Sequence, residues 1–281
     1  MVKIGNLKLE NRILLAPMLE PNDVAFRLLC KKAGCGLTYT GMISPLSKQR
    51  LYLDDKPGLQ LFGNSEKGIV SFIKKNDSRV SLWDFNLGCP SKLSRRLEHG
   101  AFMHDDLESI EKILKAMRRA TKKPVTIKLR KSGNALKIAK LAEKYVDAIG
   151  IHPRTFAQGY SGEADYDFAL KIKKAVKIPV IYSGDVDLDN AEKILKDFDF
   201  VFVGRAAIGN PGIFSKLTGK KCDVGFGNYF KLAKKFGLFF RQIKFQAMNF
   251  TKGINGAKRL REKLIGVKTV EDVEDIMVTN K

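Results

Sequence analysis

Residues 81–86 are Ser81-Leu82-Trp83-Asp84-Phe85-Asn86, a short and mostly apolar run that predicts a buried β-strand. An amphipathic pattern over Leu107–Ala120 predicts the helix that follows. Val125-Thr126-Ile127-Lys128-Leu129 is the next strand-like run. Strand, helix and strand in this order form the unit from which parallel sheets are built. The stretch 81–129 therefore predicts one such unit.

The same alternation extends on both sides of this unit and predicts eight strands if a short second one is counted. Near-continuous apolar strands separated by helices are typical of a parallel sheet covered on both faces, and eight units over about 200 residues fit a (β/α)8 TIM barrel. A doubly wound open sheet is the alternative, but no GxGxxG follows the first strand. The further strands are Ile13–Met18, Leu37–Thr40, Gly58–Phe62, Ala148–Ile151, Pro179–Tyr182 and Phe200–Val203, and the further helices are Asn22–Ala33, Glu66–Lys75, Ala135–Tyr145, Phe168–Val176 and Asn190–Leu195.

The chain changes character near residue 220. Residues 231–263 contain ten basic side chains and one acid, Glu262. We predict two domains, a barrel over 1–220 and a small basic helical domain over 221–281. Aromatic residues recur in the second part at spacings that predict the buried face of a helical bundle. These are Phe236, Phe239, Phe240, Phe245 and Phe250.

The composition indicates the kind of partner. A net charge of +21 over 281 residues favours a polyanion such as nucleic acid or a membrane surface, although Lys-rich chains also occur in thermophiles. The first residues lack a signal-peptide pattern, and no apolar run reaches transmembrane length. Neither the four cysteines nor the three histidines show a metal-binding spacing. We expect a cytosolic protein without a metal site.

Several polar residues stand at or just beyond the predicted strand ends, where a barrel carries its chemistry. Gly184 and Gly204 would let backbone N–H groups approach a phosphate, and Arg205 would add donors. Lys128 lies in an apolar strand and needs a partner or an anionic ligand. Gln60 and His152 end their strands similarly, and a dense polar loop follows His152.

Cys89 is the one cysteine at a predicted catalytic strand end, in Asn86-Leu87-Gly88-Cys89-Pro90. Lys92, Arg95 and Arg96 follow closely and would favour a thiolate. A thiolate suits a nucleophile or redox thiol better than an acid. Spacing alone leaves these roles open.

Together the motifs resemble those of the tRNA-dihydrouridine synthases over nearly the whole chain. Any one motif is weak, but this many in order is specific. The resemblance includes the tail from Lys252-Gly253 to Leu260-Arg261, which is similar to the family's RNA-binding helices. The other matching stretches are Leu15–Met18 with Asp23 and Phe26-Arg27, Gln60–Gly63, Asn86–Pro90 with Gly100–Met103, Ile127–Arg130, His152–Thr155 with Gln158–Gly162, Gly184-Asp185 and Gly204–Pro211.

The resemblance implies a TIM-barrel enzyme that carries FMN, takes electrons from NADPH and reduces the C5–C6 double bond of specific uridines in tRNA to dihydrouridine. Hydride would pass from FMN N5 to C6 of the base, and the Cys89 thiol would give a proton to C5. The basic neighbours are then assigned to RNA phosphates, and the base must leave its stack. The implied FMN contacts are Ala16, Pro17, Met18, Gln60, Lys128, His152, Ser183, Gly184, Asp185, Gly204 and Arg205. The predicted RNA contacts are Asn86, Lys92, Arg95, Arg96, Arg154, Lys252, Lys258, Arg259 and Arg261.

Two positions depart from the family pattern. Asn22 stands where Thr is common before Asp23, and Ser183 stands where Asn is common before Gly184. Each keeps a hydrogen-bonding side chain, so the departures concern fine geometry and subfamily. We expect a monomer, and which uridine is reduced does not follow from the sequence.

Two other functions compete with this one. An FMN barrel reductase with a small-molecule substrate would share the cofactor residues but would not need a basic tail. A non-catalytic RNA-binding protein would need the charge but would not need Cys89 or Lys128.

Overall fold

The computed structural model describes residues 2–20 and 22–279. Seven parallel strands form one curled sheet in the order β3-β9-β8-β7-β6-β5-β4. An antiparallel hairpin, β1–β2, precedes them. The strands are β1 (Val2–Ile4), β2 (Leu7–Leu9), β3 (Ile13–Leu15), β4 (Gly58–Leu61), β5 (Leu82–Leu87), β6 (Val125–Arg130), β7 (Ala148–His152), β8 (Val180–Ser183) and β9 (Phe200–Val203).

Residues 37–40 close the sheet into a barrel. Leu37 bridges to β3 and Tyr39 bridges to β4, both in parallel. The backbone N–H of Leu15 donates to the Leu37 carbonyl at 2.9 Å, and the N–H of Gly58 donates to the Thr38 carbonyl at 2.8 Å. The short predicted second strand is thus an extended segment held by isolated bridges. The predicted barrel with C-terminal helices is confirmed.

The helices surround the barrel because each buries one apolar stripe. Helix α4 shows the pattern most clearly, with buried residues at i, i+3, i+4 and i+7 from Ile110 to Met117. Aspartates cap three helices, since the carboxylates of Asp23, Asp106 and Asp165 accept from backbone N–H groups three residues on. The barrel-layer helices are α1 (Val24–Lys32), α2 (Ile69–Asn76), α3 (Lys92–Arg96), α4 (Leu107–Ala120), α5 (Ala135–Ala142), α6 (Tyr166–Ala175), α7 (Ala191–Asp197) and α8 (Ile213–Thr218).

The barrel interior has an apolar lower half and a polar upper half. Alternation along each strand sends every second side chain inward, so Leu82, Asp84 and Asn86 of β5 all face the interior. Leu82 belongs to a buried apolar cluster that also contains Phe202 and, from the hairpin, Ile4. The hairpin therefore covers the amino-terminal end of the barrel. Polar side chains occupy the carboxyl end.

The C-terminal helical segment, residues 226–279, packs against α1. Its elements are α9 (Phe226–Lys235), α10 (Phe240–Phe250), α11 (Ala257–Gly266), α12 (Val270–Glu274) and a π-helical turn over Asp275–Thr279. The Asp23 carboxylate, just before α1, links the barrel to this segment. It accepts from Gln246 Nε2 of α10 at 2.9 Å and from the Tyr229 hydroxyl of α9 at 3.3 Å.

The expected aromatic core of this segment is largely wrong. Of the five predicted residues only Phe250 is buried, whereas Phe239 is 78% exposed and Phe245 is 40% exposed; Phe236 and Phe240 are half-buried. Helix α10 instead buries the face that carries Ile243, Gln246, Ala247 and Phe250. Two residues along a helix turn through about 200°, so Phe245 lies opposite Ile243.

Within residues 2–20 and 22–279, no helix has both the length and the apolar character needed to span a bilayer.

Candidate active site

A cavity of about 340 Å³ opens at the carboxyl ends of the barrel strands. This volume lies within the range of small-molecule sites. All eleven residues predicted to bind the cofactor line it, together with Cys89, Asn86 and Arg154. The eleven are Ala16, Pro17, Met18, Gln60, Lys128, His152, Ser183, Gly184, Asp185, Gly204 and Arg205.

A hydrogen-bonded relay runs from below this cavity to residues 88–91, which connect β5 to α3 and are called the Cys89 loop below. Asp84 is 1% exposed and accepts from the Thr126 hydroxyl at 2.6 Å and from Gln60 Nε2 at 2.7 Å. Gln60 Oε1 accepts from Asn86 Nδ2 at 2.7 Å. Asn86 Oδ1 then accepts from the backbone N–H of Gly88 at 3.0 Å and of Cys89 at 2.9 Å.

The ionised Asp84 carboxylate sets the direction of every bond in the relay. An ionised carboxylate only accepts, so Gln60 must turn its amide nitrogen down and its oxygen toward Asn86. Asn86 then turns its own oxygen toward the loop. Burial raises the pKa of Asp84 to about 6, against the opposing hydrogen bonds from Thr126 and Gln60 and the charge of Lys128. The relay is therefore complete at neutral pH.

Cys89 is held on its other side by Gly100. Gly100 has a φ of +67°, in the region that favours glycine. A Cβ at this position would lie 2.9 Å from the Cys89 carbonyl oxygen and 3.1 Å from its Cβ. The Cys89 carbonyl also accepts from the N–H of Ala101 at 3.2 Å. The half-buried thiol thus faces the cavity from a loop fixed at both sides.

Lys128 is a cation in the cavity that is not in direct contact with an acidic side chain of the described residues. Its ammonium forms no hydrogen bond or ion pair with any residue the structure describes, and Lys128 itself is half-buried. Burial, followed by the charge of Arg130, lowers the pKa of Lys128 to about 8, while Asp84 and Cys89 oppose the shift. An unpaired, partly desolvated cation of this kind fits an anionic edge of a ligand.

Two other features of the cavity fit a flat, polar-edged ring system. A Cβ on Gly204 would meet only Ala16 Cβ at 3.6 Å and Met18 Sδ at 3.9 Å, so the Gly204 backbone borders open cavity space. Burial and the nearby cations, Lys128 first, lower the pKa of His152 to about 2. His152 is therefore a neutral imidazole that can both donate and accept a hydrogen bond.

Asp185 organises the side of the cavity that Gly184, Gly204 and Arg205 line. It adopts a positive φ of +50° and accepts from Arg154 at 2.5 Å and from Arg205. Although burial acts to raise the pKa of Asp185, hydrogen bonds from the two arginines hold it below its ordinary value. Arg205 remains half exposed beside Gly204 and keeps donors for a ligand.

Arg154, which we predicted to contact RNA, is 3% exposed. Besides Asp185, it donates to the Gly162 carbonyl at 2.7 Å and lies 3.2 Å from His152 Nε2. In this structure it therefore positions His152, Asp185 and the loop over residues 155–162. Asn86 is similarly committed to the Cys89 loop.

Arg130 is a site residue that the sequence analysis did not assign. It is 1% exposed, and its guanidinium donates to the carbonyls of Gly88 at 2.8 Å and Gly159 at 2.7 Å. It thereby joins the Cys89 loop to the loop that carries Tyr160, whose ring lies between Arg130 and Arg205 at 5.6 and 5.4 Å.

The other predicted RNA contacts lie on the surface. Lys92, Arg95 and Arg96 are exposed on α3, directly after the Cys89 loop. Four more are exposed in the C-terminal helical segment. These are Lys252, Lys258, Arg259 and Arg261, of which Arg261 donates from Nε to the Thr251 hydroxyl at 2.9 Å.

The histidines outside the cavity have packing roles. His99 is buried against the ring of Phe62, with ring centroids 4.6 Å apart. His104 bridges the Ser132 hydroxyl and the Leu87 carbonyl, each at 2.6 Å. In the part of the chain that the structure describes, no group of three or more His, Cys, Asp or Glu side chains is placed to hold a metal ion.

Comparison with known proteins shows the family of the chain. The family model described as Dihydrouridine synthase (Dus) matches residues 14–278. The chain belongs to the dihydrouridine synthase family. The assignment made from the motifs is confirmed, and the protein is a flavin-dependent oxidoreductase.

Curated relatives agree along most of the chain. It is 35% identical over 239 residues to tRNA-dihydrouridine synthase B of Vibrio vulnificus (strain CMCP6), which covers 77% of this chain and 74% of that one. It is 35% identical over 237 residues to tRNA-dihydrouridine synthase B of Pseudomonas aeruginosa, with coverage of 77% and 71%.

Solved structures share the fold at low identity. A 2-naphthoyl-CoA reductase complex is 13% identical with a TM-score of 0.62, over 78% of this chain and 52% of that chain. The old yellow enzyme homologue from Zymomonas mobilis is 12% identical with a TM-score of 0.57, over 81% and 94%. At these identities the likeness shows the barrel fold alone.

Proposed function

We propose that this dihydrouridine synthase binds FMN, takes electrons from NADPH and reduces the C5–C6 double bond of specific uridines in tRNA. One observation carries the proposal. The loop that fixes Cys89 opens onto the same cavity as the unpaired Lys128, so a proton donor and a cation for a reduced flavin face one space.

The cofactor contacts follow from the lining. Lys128 would balance negative charge at the pyrimidine edge of the flavin, and Gln60 and His152 would hydrogen-bond its polar atoms. Gly184, Gly204 and Arg205 would hold the phosphate, as late strand ends commonly do in this fold. Bound reduced flavin supplies the hydride that the reaction needs.

Cys89 supplies the proton. Its thiol would donate from Sγ to C5 of the base, as a positioned general acid. The Asn86 turn and Gly100 hold the thiol at the cavity wall, and Arg130 keeps this loop in register with Tyr160. A thiol that starts protonated needs no thiolate-stabilising neighbour, so the cations of α3 are assigned to RNA.

The substrate would be held by exposed basic side chains. We propose that residues 1–220 form the catalytic domain and 221–281 the tRNA-binding domain. Lys92, Arg95 and Arg96 would contact backbone phosphates near the cavity, and Lys252, Lys258, Arg259 and Arg261 would contact them in the C-terminal helical segment. The target uridine must be unstacked to reach the cavity. We expect the protein to act as a cytosolic monomer.

Mass spectrometry of tRNA tests the function. The purified protein, given FMN and NADPH, should add two mass units to uridine in unmodified tRNA. Reactions without NADPH should add none. Flavin-loaded protein that leaves every uridine unchanged, across the tRNAs of its own host, would contradict the proposal.

A further inference from the structure

A second, larger cavity of about 630 Å³ lies between the barrel and the C-terminal helical segment. Its walls come from the start of α1, from the connection over residues 40–53, and from the turn between α9 and α10. None of the predicted cofactor residues lines it, and neither does Cys89.

The two cavities are contiguous. Leu19 and Met42 line both of them. An RNA strand that places one base in the reactive cavity can place a neighbouring nucleotide close to this shared rim. The second cavity is therefore in reach of the nucleotides that flank the target.

The lining carries aromatic faces. Phe239 lines the cavity at the start of α10 and is 78% exposed, so its ring is accessible to a ligand. Tyr52 lies on the barrel side and packs edge-on against Phe236, with ring centroids 5.8 Å apart. Exposed aromatic faces of this kind are platforms on which nucleobases stack.

The charge of the lining favours a nucleotide over an apolar peptide. Arg50 lies over the Tyr52 ring at 5.0 Å and forms no ion pair with any described residue. Arg27 is occupied, because it donates to both carboxylate oxygens of Asp55 at 2.9 and 3.0 Å. The Asp23 carboxylate is likewise occupied by its bonds to Gln246 and Tyr229. Arg50 is thus a free cation beside an aromatic ring.

We propose that this cavity is a subsite for the unpaired nucleobase next to the target uridine, stacked on Phe239 with its phosphate near Arg50. The inference rests on the proposed function. Recognition by stacking tolerates any base, so the subsite selects an unpaired, flexible neighbour and not a particular sequence.

A cycle of protein and RNA changes tests the subsite with full-length protein. Phe239→Ala should lower kcat/KM for tRNA about tenfold, through KM. Phe239→Tyr should restore it, because the ring face is kept. Phe245→Ala is the matched control, since Phe245 is an exposed aromatic of the same helix that lies outside the cavity.

The RNA half of the cycle removes the flanking base. An abasic nucleotide is placed either 5′ or 3′ of the target. On one of these sides it should lower kcat/KM of the wild-type protein by a similar factor. It should lower kcat/KM of Phe239→Ala little further, because both changes delete the same contact. If the loss from Phe239→Ala multiplies with the loss from the abasic nucleotide, whether that nucleotide is 5′ or 3′ of the target, the subsite proposal is wrong. Equal effects of Phe239→Ala and Phe245→Ala would also show it to be wrong.

The two proposals fail differently. If the wild-type protein forms no dihydrouridine in any tRNA, the proposed function fails. If it forms dihydrouridine and the losses multiply, only the subsite fails.

Discussion

The active-site cavity and the C-terminal helical segment use charge in opposite ways. Arg130 and Arg154 in the cavity wall and Asp84 below it are nearly inaccessible, and each is bound to fixed protein partners. In the helical segment, Lys258 and Arg259 are exposed and pair with no described residue. Fixed charges position reacting groups, whereas exposed ones attract a polyanion from any direction. Cavity substitutions should therefore change kcat, and helical ones KM.

The largest expected effect is at the thiol. Cys89→Ala removes the proton donor, so kcat should fall at least about 100-fold, the low end for general acid catalysis. The protein should keep its flavin, because Cys89 is not among the residues assigned to hold it. Cys222→Ala is the matched control, since Cys222 is also half-buried and free but lies outside the cavity. Retained turnover in Cys89→Ala would show that the proton comes from elsewhere.

A smaller effect is expected below the cavity. Asp84→Asn introduces a donor where the relay needs an acceptor, which allows the Gln60 amide to turn over and releases the Cys89 loop. We expect kcat to fall about tenfold with little change in KM, since one oriented hydrogen-bond chain is lost. Steady-state kinetics should show no such loss for the exposed Asp54→Asn. An unchanged kcat would mean that the relay does not position Cys89.

The pH dependence separates activity from stability at the same residue. The pKa of Asp84 is about 6, so its carboxylate is protonated below that pH. The hydrogen bonds of the relay then lose their fixed direction, and kcat should fall. The stability of the fold should change in the opposite direction. The raised pKa means that the folded state binds the extra proton, so the free energy of unfolding should rise as pH falls from 7 toward 4, near the unfolded pKa. Both trends, measured by kinetics and by denaturant melts between pH 5 and 7, should disappear in Asp84→Asn. Parallel trends in the variant would assign them to another group.

The smallest effect is expected in the helical segment. Removing two exposed charges with Lys258→Ala and Arg259→Ala should raise KM for tRNA about fivefold and reduce the salt dependence of binding by roughly two phosphate contacts. Lys171→Ala with Lys174→Ala on α6 removes the same charge from the barrel exterior and should change neither quantity. Equal losses in both double variants would mean that net charge matters and the location does not.

The cavity could be predicted from the sequence better than the helical segment could. Strand ends in a parallel barrel converge by geometry, so Gln60, Lys128 and His152 needed only the correct strand pattern. Asp84 was missed although its signal was present, since it is a charged residue in an apolar strand two positions before Asn86. Arg130 was missed in the same way, since it is a charged residue of an apolar strand two positions after Lys128. Both were recognisable by the argument used for Lys128.

The helical segment lacks such a geometric constraint. The buried face of α10 depends on which side meets Asp23 and α9. Gln246 of α10 helps to set this side through its bond to Asp23, 223 positions away. Aromatic spacing alone did not reveal that phase, so Phe239 and Phe245 were assigned to the core. Arg154 shows the same limit, because its burial depends on the path of the loop over residues 155–162.

The division of labour between the two regions can be tested in one assay. Pre-reduced protein is mixed with saturating tRNA, and dihydrouridine formed in a single turnover is followed for Cys89→Ala and for the Lys258→Ala, Arg259→Ala variant. We predict that the first binds tRNA as tightly as the wild type but forms almost no product, and that the second forms product at close to the wild-type rate once saturated. A Cys89→Ala protein that reacts at the wild-type rate, or a helical variant that stays slow at saturation, would contradict this account.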